Sequence, residues 1–577
     1  MPNAFAYLVI LGFPFVAVAL FHRLPRPQAV IWTILGGYLF LPTSAEIDLP
    51  VLPPIDKDLV PAVSAFLLCL LPERRPRRRP GPARPETAAA ASAGASAAAS
   101  AGAGAANGAT KGTAGPVPAR RASREAEEEG WATDGEADGV DGEAAGGGGA
   151  EAAPRRVRSR LLQVLLAVTL GVPLLTLLNN RDPLVYGPTV LPGLSLYDAL
   201  GTVMAMLATL LPFLLGRRYL GAGARHTEIL RAFLLAGLAY SVLMLIEIRL
   251  SPQLNVWLYG FFPHHFDQHI RAGGYRPIVF LDHGLWVGIF TAMALLAAAG
   301  YRRQLGYEGR RSLWGFATAW LAIILVLAKS FGALMMSLML LPLVMVSTRR
   351  LQMTVATCIA LGMLAYPVLR GSGLVPVEAV VEWAAKASEE RASSLQFRLD
   401  NEDQLLARAS LKPVTGWGSW GRQQIFNAEG EMTSVTDGSW IIVIGQSGWV
   451  GYLAEFGLLT LPVLLLARRR RRFNLGPATT ALALVLALNI ADLIPNATLT
   501  PLTFLIAGAL WGRHEIGLAT LREEAAAARN RPHHRRPRRS RTASPGPKTA
   551  LPGRPAAAGP APAGGLEAPL HKRRPRG

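Results

Sequence analysis

The sequence predicts an all-α polytopic integral membrane protein with about 12–13 transmembrane helices and a large extracytoplasmic loop containing short helices. Three observations carry that prediction. Of the 577 residues 51% are hydrophobic and only 17% charged, where a soluble domain carries about a quarter charged. The apolar residues form long uninterrupted blocks. Arginine clusters recur between the blocks, a position in which basic residues orient helices. The net charge of +20 is therefore no argument for a nucleic-acid partner. Cys69 and Cys358 both lie inside apolar blocks, which excludes a disulfide framework and a cysteine metal site.

A spanning helix needs roughly 17–25 mostly apolar residues, and the hydropathy places spans near 4–20, 28–43, 58–72, 161–179, 194–215, 229–248, 283–300, 313–328, 331–347, 352–369, 444–467, 477–494 and 499–512. The first span has no small-residue cleavage site and is followed by another, so it reads as retained. Arginines gather at every second connection: Arg23 and Arg26, Arg74 to Arg79, Arg217 to Arg225, Arg302 to Arg311, Arg349 and Arg350, and Arg468 to Arg472. Placing these in the cytoplasm leaves the N-terminus extracytoplasmic and the C-terminus cytoplasmic. The chain then divides into helices over 1–72, a low-complexity loop at 73–160, central helices over 161–369, the large outer loop 370–443, C-terminal helices over 444–512 and a basic tail at 513–577. The 73–160 segment is Ala/Gly-rich with 14 basic and 12 acidic residues, and the tail is Arg/Pro-rich with 15 basic and 4 acidic. Neither composition can bury a core, so both are expected to be disordered in the cytoplasm, where the tail's charge also suits anionic membrane lipid.

The outer loop 370–443 holds the densest chemistry. Residues 395–411 have helical spacing, with Leu395, Leu399, Leu406 and Ala409 as an apolar stripe. Arg398 stands four residues before Glu402, a pairing worth about 0.2–0.5 kcal/mol. Pro413 ends the helix. A Gly/Trp turn follows, Gly416-Trp417-Gly418-Ser419-Trp420-Gly421-Arg422, and then Asp437-Gly438-Ser439 leads into a span with Gly445, Gly448 and Gly451. Two further outer motifs are Gly274-Tyr275-Arg276-Pro277, leading to Asp282-His283-Gly284, and the tight turn Lys329-Ser330.

In order and topology these motifs, spread over 274–500, resemble the O-antigen ligases and the O-antigen or exopolysaccharide polymerases. The family carries an arginine-bearing helix ending in Pro-x-x-Gly-x-Gly, a polar pair before the next span, an arginine-bearing outer loop, and a basic-serine turn. Ligases have His-Asn where this chain has Asp437-Gly438-Ser439, so a polymerase fits better than a lipopolysaccharide ligase. The resemblance implies a glycosyltransferase that takes glycan from undecaprenyl pyrophosphate on the outer face and passes it to another lipid-linked glycan or to lipid A core. No cofactor and no metal are implied. Such chemistry needs guanidiniums for the leaving pyrophosphate, a base for the acceptor hydroxyl, an apolar groove for the lipid, and aromatic faces for sugars.

Arg276 and Arg398 are the resulting pyrophosphate candidates, with Asp437 and His283 as bases. Arg408 and Arg422 are reserve substrate ligands, and Trp417 and Trp420 are sugar platforms. Each has a plainer reading beside it: a solvated or paired arginine, a helix N-cap for Asp437, an interfacial histidine, a membrane-anchoring tryptophan. His264, His265, Asp267 and His269 match no closed zinc spacing and read as a solvated loop. Glu247 reads as an interfacial partner of Arg249. The competing function is a transporter or lipid-linked glycan flippase, which needs ionisable groups at mid-depth, where these spans have almost none. A noncatalytic scaffold leaves the ordered motifs over 391–451 unexplained.

Overall fold

The computed structural model describes residues 1–48, 52–72, 156–271, 273–310, 314–387 and 389–529. The low-complexity loop lies outside the described residues as far as 155, and the basic tail does so from 530. A body of Met1–Glu523 is distinct from the segment that begins at Glu524. In chain order the elements are α1 (Ala4–Arg23), α2 (Arg26–Phe40), α3 (Leu59–Leu70), α4 (Arg160–Leu178), the hairpin β1 (Leu184–Tyr186) and β2 (Thr189–Leu191), α5 (Leu196–Tyr219), α6 (Gly223–Leu250) and α7 (Leu254–Tyr259). There follow the hairpin β3 (Ile270–Arg271) and β4 (Gly274–Tyr275), α8 (Gly284–Tyr307), α9 (Trp314–Leu327), α10 (Phe331–Val346), α11 (Arg349–Gly371), α12 (Val377–Ala387) and α13 (Glu389–Ser410). The last four are α14 (Ser439–Arg468), α15 (Arg470–Phe473), α16 (Pro477–Asp492) and α17 (Pro501–Arg529).

Among the described residues seven helices, α1, α4, α5, α6, α8, α11 and α14, are long and apolar enough to cross a membrane. The chain is thus a helical multi-pass membrane protein, and every apolar block of the sequence contains a helix. Several boundaries differ from expectation, α6 beginning at Gly223 and α8 running to Tyr307 among them. α17 runs on through residues assigned to a disordered tail, because His514 packs on Phe473 and Glu515, fully buried, takes both arms of Arg217 at 2.9 Å. α14 begins at Ser439 rather than 444. α13 begins six residues before the predicted 395, and its buried face is Glu402, Leu405 and Ala409 rather than Leu399 and Leu406.

α8 is the axis of the bundle, buried along almost its whole length against α6, α9, α10 and α16. Its run of Ala and Gly makes that possible, since small residues let four neighbours approach. A Cβ on Gly300 would fall 2.5 Å from the Ala481 Cβ, and one on Gly237 of α6 would fall 2.7 Å from that of Ala294. α14 joins α11 to α4, and α5 packs on α17 at Gly216 and Gly508, where any Cβ would strike backbone.

α14 is broken at Gly448, whose φ of 63° leaves the helix. Irregular backbone inside an apolar bundle requires protein partners for its polar groups. The Pro413–Gly418 turn supplies them: Trp417 and Gly418 donate to the carbonyls of Gly445 and Gln446 at 2.8 and 2.9 Å, and Trp449 donates to that of Pro413 at 2.7 Å. Gly416 and Gly418 have φ of +71° and +82°. A Cβ on Gly416 would stand 2.4 Å from the Gln446 carbonyl carbon. Gly416→Ala is therefore expected to cost roughly 1–3 kcal/mol or more, read as a lowered thermal midpoint of the detergent-solubilised protein. Gly362→Ala, in open space on α11, should be neutral or slightly stabilising.

Candidate active site

Three predicted motifs converge at one end of the bundle. Arg276 is 2% exposed. It descends from the β3–β4 hairpin, where its N–H donates to the His269 carbonyl at 2.8 Å, and its Nη2 donates to Ser330 Oγ at 3.2 Å. Glycines on one face of α8 make its seat: a Cβ at Gly284 would lie 2.5 Å from Arg276 Nε, and one at Gly288 would lie 2.3 Å from Ser330 Oγ. Lys329, with φ of +51°, donates from Nζ to the Arg271 carbonyl at 2.7 Å.

The segment after Arg276 is pinned by a residue the sequence analysis misread. Glu247 is fully buried and does not pair with Arg249. Its carboxylate accepts the N–H groups of Ile278 at 2.8 Å, Val279 at 2.7 Å and Leu254 at 3.0 Å. Val279 has φ of 53°, a conformation a β-branched residue rarely adopts, and the carboxylate holds it there.

Arg398 also departs from expectation. Its partner is Asp437, Nε to Oδ2 at 3.5 Å, and its Nη1 donates to the Pro495 carbonyl at 3.3 Å. Glu402 instead faces Arg370, which reaches Asp403 at 2.7 Å and Glu402 at 3.7 Å, with Tyr366 and Trp440 donating to the same carboxylate at 3.4 Å. Asp437 is not the N-cap of α14; Gly438 is. Ser439 donates from N and Oγ to the Asn496 carbonyl. Asp492, which the sequence analysis did not single out, accepts from Asn496 Nδ2 at 2.8 Å and Thr498 Oγ1 at 2.6 Å, fixing the same turn.

Arg276 and Arg398 are electrostatic neighbours. Burial first, then the guanidiniums of Arg271 and Arg398, push Arg276 down to about 10, with Asp492 opposing. It stays charged at neutral pH. Yet among the described residues it makes no ion pair, and its buried Nε has no hydrogen-bond partner. Burial raises the Asp437 carboxyl, with Arg398 holding it down.

His283 belongs to a histidine cluster, its ring 4.8 Å from that of His264 and 4.9 Å from that of His269. Its Nδ1 accepts the Leu285 N–H at 3.1 Å, capping α8, which leaves the proton on Nε2 facing Gln268 Oε1 at 3.2 Å. That lone pair is occupied, which argues against His283 as the base. His269 is fully buried rather than solvated. Its Nδ1 faces the His265 carbonyl at 3.1 Å and its Nε2 has no partner.

Arg408, Arg422, Trp417 and Trp420 gather elsewhere in the outer loops. Arg422, 1% exposed, donates to the carbonyls of Pro192 and Asp182 at 2.6 and 3.0 Å. Arg408 lies 3.7 Å over the Trp417 ring and donates to the Arg422 carbonyl at 3.1 Å and to Tyr186 Oη. Lys412 stands 4.7 Å from the Trp417 ring as well. Arg408 and Arg422 therefore tie the loop to the β1–β2 hairpin and its flanks, and Trp417 packs against Arg408, donating from Nε1 to its carbonyl at 2.9 Å. Trp420 remains 58% exposed, its Nε1 donating to Asp198 Oδ1 at 2.9 Å. His264, His265, Asp267 and His269 form no group suited to hold a metal ion among the described residues.

Fold and site together define a multi-pass helical membrane protein with a buried arginine at one end of its bundle that makes no ion pair among the described residues. No known family model matches the chain, and no curated protein is similar to it.

Two predictions follow from the partners. Arg370→Ala strands Glu402, itself 6% exposed, and should cost about 3–5 kcal/mol; Arg398→Ala removes a half-exposed pair worth about 1 kcal/mol or less. Thermal denaturation of the two purified variants checks this contrast. Burial leads in pushing His269 and His283 down to about 4 and about 3, whereas unfolded histidine titrates near 6.5. Between those values the unfolded chain binds more protons, so stability is full above about pH 6.5 and falls on acidification toward pH 4. His269→Asn, which keeps a donor for the His265 carbonyl, should flatten the slope of thermal midpoint against pH.

Proposed function

We propose that this protein is a metal-independent glycosyltransferase of the bacterial inner membrane, similar to O-antigen and exopolysaccharide polymerases and ligases. It polymerises or transfers undecaprenyl-pyrophosphate-linked glycan on the extracytoplasmic face, with a further lipid-linked glycan or lipid A core as acceptor. In this reading 12–13 helices cross the bilayer, the N-terminus is outside, and the Arg276 end faces outward because the large arginine clusters lie at the other end.

The observation that carries the proposal is Arg276: a buried guanidinium with one serine partner, an orphan Nε and, among the described residues, no carboxylate at ion-pair distance. A group so placed calls for an anion, and a planar fork suits phosphate oxygens. Arg398 supplies the second guanidinium. The acceptor hydroxyl attacks the anomeric carbon, its proton passing to the Asp437 carboxylate, while the bond to pyrophosphate breaks and its electron pair leaves on the phosphate oxygen between the two arginines. An aliphatic cleft of about 330 Å³ between Leu59, Val63, Met204 and Leu211 offers room for a polyprenyl chain, and Trp420 an exposed ring for a sugar.

One observation favours the transporter or flippase reading: Glu455 lies near the middle of α14, where an ionisable side chain marks a pathway more often than not. Proteoliposomes with lipid-linked repeat units and no nucleotide sugar separate the two. The transferase lengthens the glycan on its lipid; a flippase leaves chain length unchanged. Arg276→Ala should lower the rate about 10²–10³-fold at a normal membrane level, and Arg276→Lys should restore little of it. Full chain lengthening by Arg276→Ala would sink the assignment.

A further inference from the structure

A cavity of about 560 Å³ lies at the end of the bundle opposite Arg276, lined by Arg302, Arg303, Tyr307 and Arg310 of α8 and its following turn, Met345 of α10 and Arg349 of α11. Pro477, the first residue of α16, closes its base. Two of the guanidiniums are held in place by backbone. Arg303 Nη1 donates to the Val344 carbonyl at 2.8 Å, and Arg349 Nη1 donates to that of Leu475 at 3.3 Å. Arg349 also lies 5.6 Å from the Tyr307 ring. Glu308 is ion-paired to Arg310 at 3.6 Å. α11 and α16 both begin at this cavity, and helix N-termini add positive potential there.

We infer that this cavity binds the phosphate headgroup of an anionic membrane lipid. Four guanidiniums around a concave space select phosphate oxygens over a neutral or zwitterionic group. The rim favours a lipid as the source of that phosphate: Tyr307, Met345 and Val346 are 60%, 41% and 81% exposed, an apolar flank continuous with the outer face of α10. A headgroup seated among the arginines would lay its acyl chains along that flank. Basic pockets between helix ends hold acidic lipids by this division of labour. The site is independent of the Arg276 chemistry, with which it shares only the length of α8.

The test uses the full-length protein in detergent micelles doped with equal amounts of phosphatidylglycerol and phosphatidylcholine of identical chains, with bound lipid measured by native mass spectrometry. Phosphatidylglycerol should be retained over phosphatidylcholine. Arg302→Gln/Arg310→Gln, two exposed side chains whose loss leaves the helix contacts intact, should reduce that preference roughly tenfold or more. Arg303→Gln/Arg349→Gln should reduce it further, and its thermal midpoint reports whether the bundle is still folded. A third arm adds inorganic phosphate at the concentration of the lipid, and the lipid should stay bound. Equal retention of the two lipids, an unchanged preference in Arg302→Gln/Arg310→Gln, or displacement by equimolar phosphate would each overturn the assignment.

Discussion

Backbone that leaves helical geometry inside an apolar bundle must find every hydrogen bond within the protein, and the candidate site is built on the ways this chain meets that demand. The break at Gly448 is filled by the Pro413–Gly418 turn. The bend at Ile278–Val279 is held by the Glu247 carboxylate. The turn after α16 is held by Asp492 from one side and Ser439 from the other. Each solution fixes a neighbour that bears chemistry. The first anchors the turn that ends α13 and so positions Arg398, the second delivers Arg276, and the third gives Arg398 its carbonyl at Pro495.

Arginines at this end of the bundle fall into two kinds, and partners divide them better than exposure does. Arg276 and Arg422 are 2% and 1% exposed, yet Arg422 meets two carbonyls while Arg276 meets one hydroxyl. Arg370 is neutralised by acids of α13, and Arg408 is sandwiched with Trp417. A buried cation without an ion pair is costly to keep. Among the described residues the buried Nε is without a hydrogen-bond partner in Arg370, Arg408 and Arg422 as well; Arg276 differs in that its guanidinium meets a single hydroxyl, with Asp492 beyond ion-pair distance as its opposing charge.

The helices were legible in the sequence because hydropathy is a local property, read within a window as long as the helix itself. Every expected span contains one, and the errors are confined to ends such as the start of α14 and the continuation of α17. The convergence of Arg276, Lys329-Ser330 and Asp437 on one end followed from the alternation of arginine clusters, which sets the parity of each loop. The partnerships were not legible. Helical spacing paired Arg398 with Glu402, but tertiary contact pairs it with Asp437, because α13 turns Glu402 inward to Arg370 and Trp440. Glu247 and Asp492 carry no local signature, since their partners are backbone groups or residues set by a turn. His269 looked like one histidine among several in a polar loop, and only the closing of the β3–β4 hairpin buries it.

Seen through its partners, the net charge of +20 separates by mechanism rather than by side of the membrane. Clusters such as Arg468 to Arg472 need no specific acceptor, because bulk water and lipid headgroups solvate them. Arg302, Arg303, Arg310 and Arg349 are different, since they enclose a volume and two of them are fixed by carbonyls at their edge. Arg276 is different again, held over a pair of glycines on the same helix. α8 therefore meets arginines at both ends, around a concave cavity at one and as the buried Arg276 at the other. What separates them physically is the packed Ala-rich middle of that helix, buried on every side by its neighbours, which leaves no room for a charged group along it.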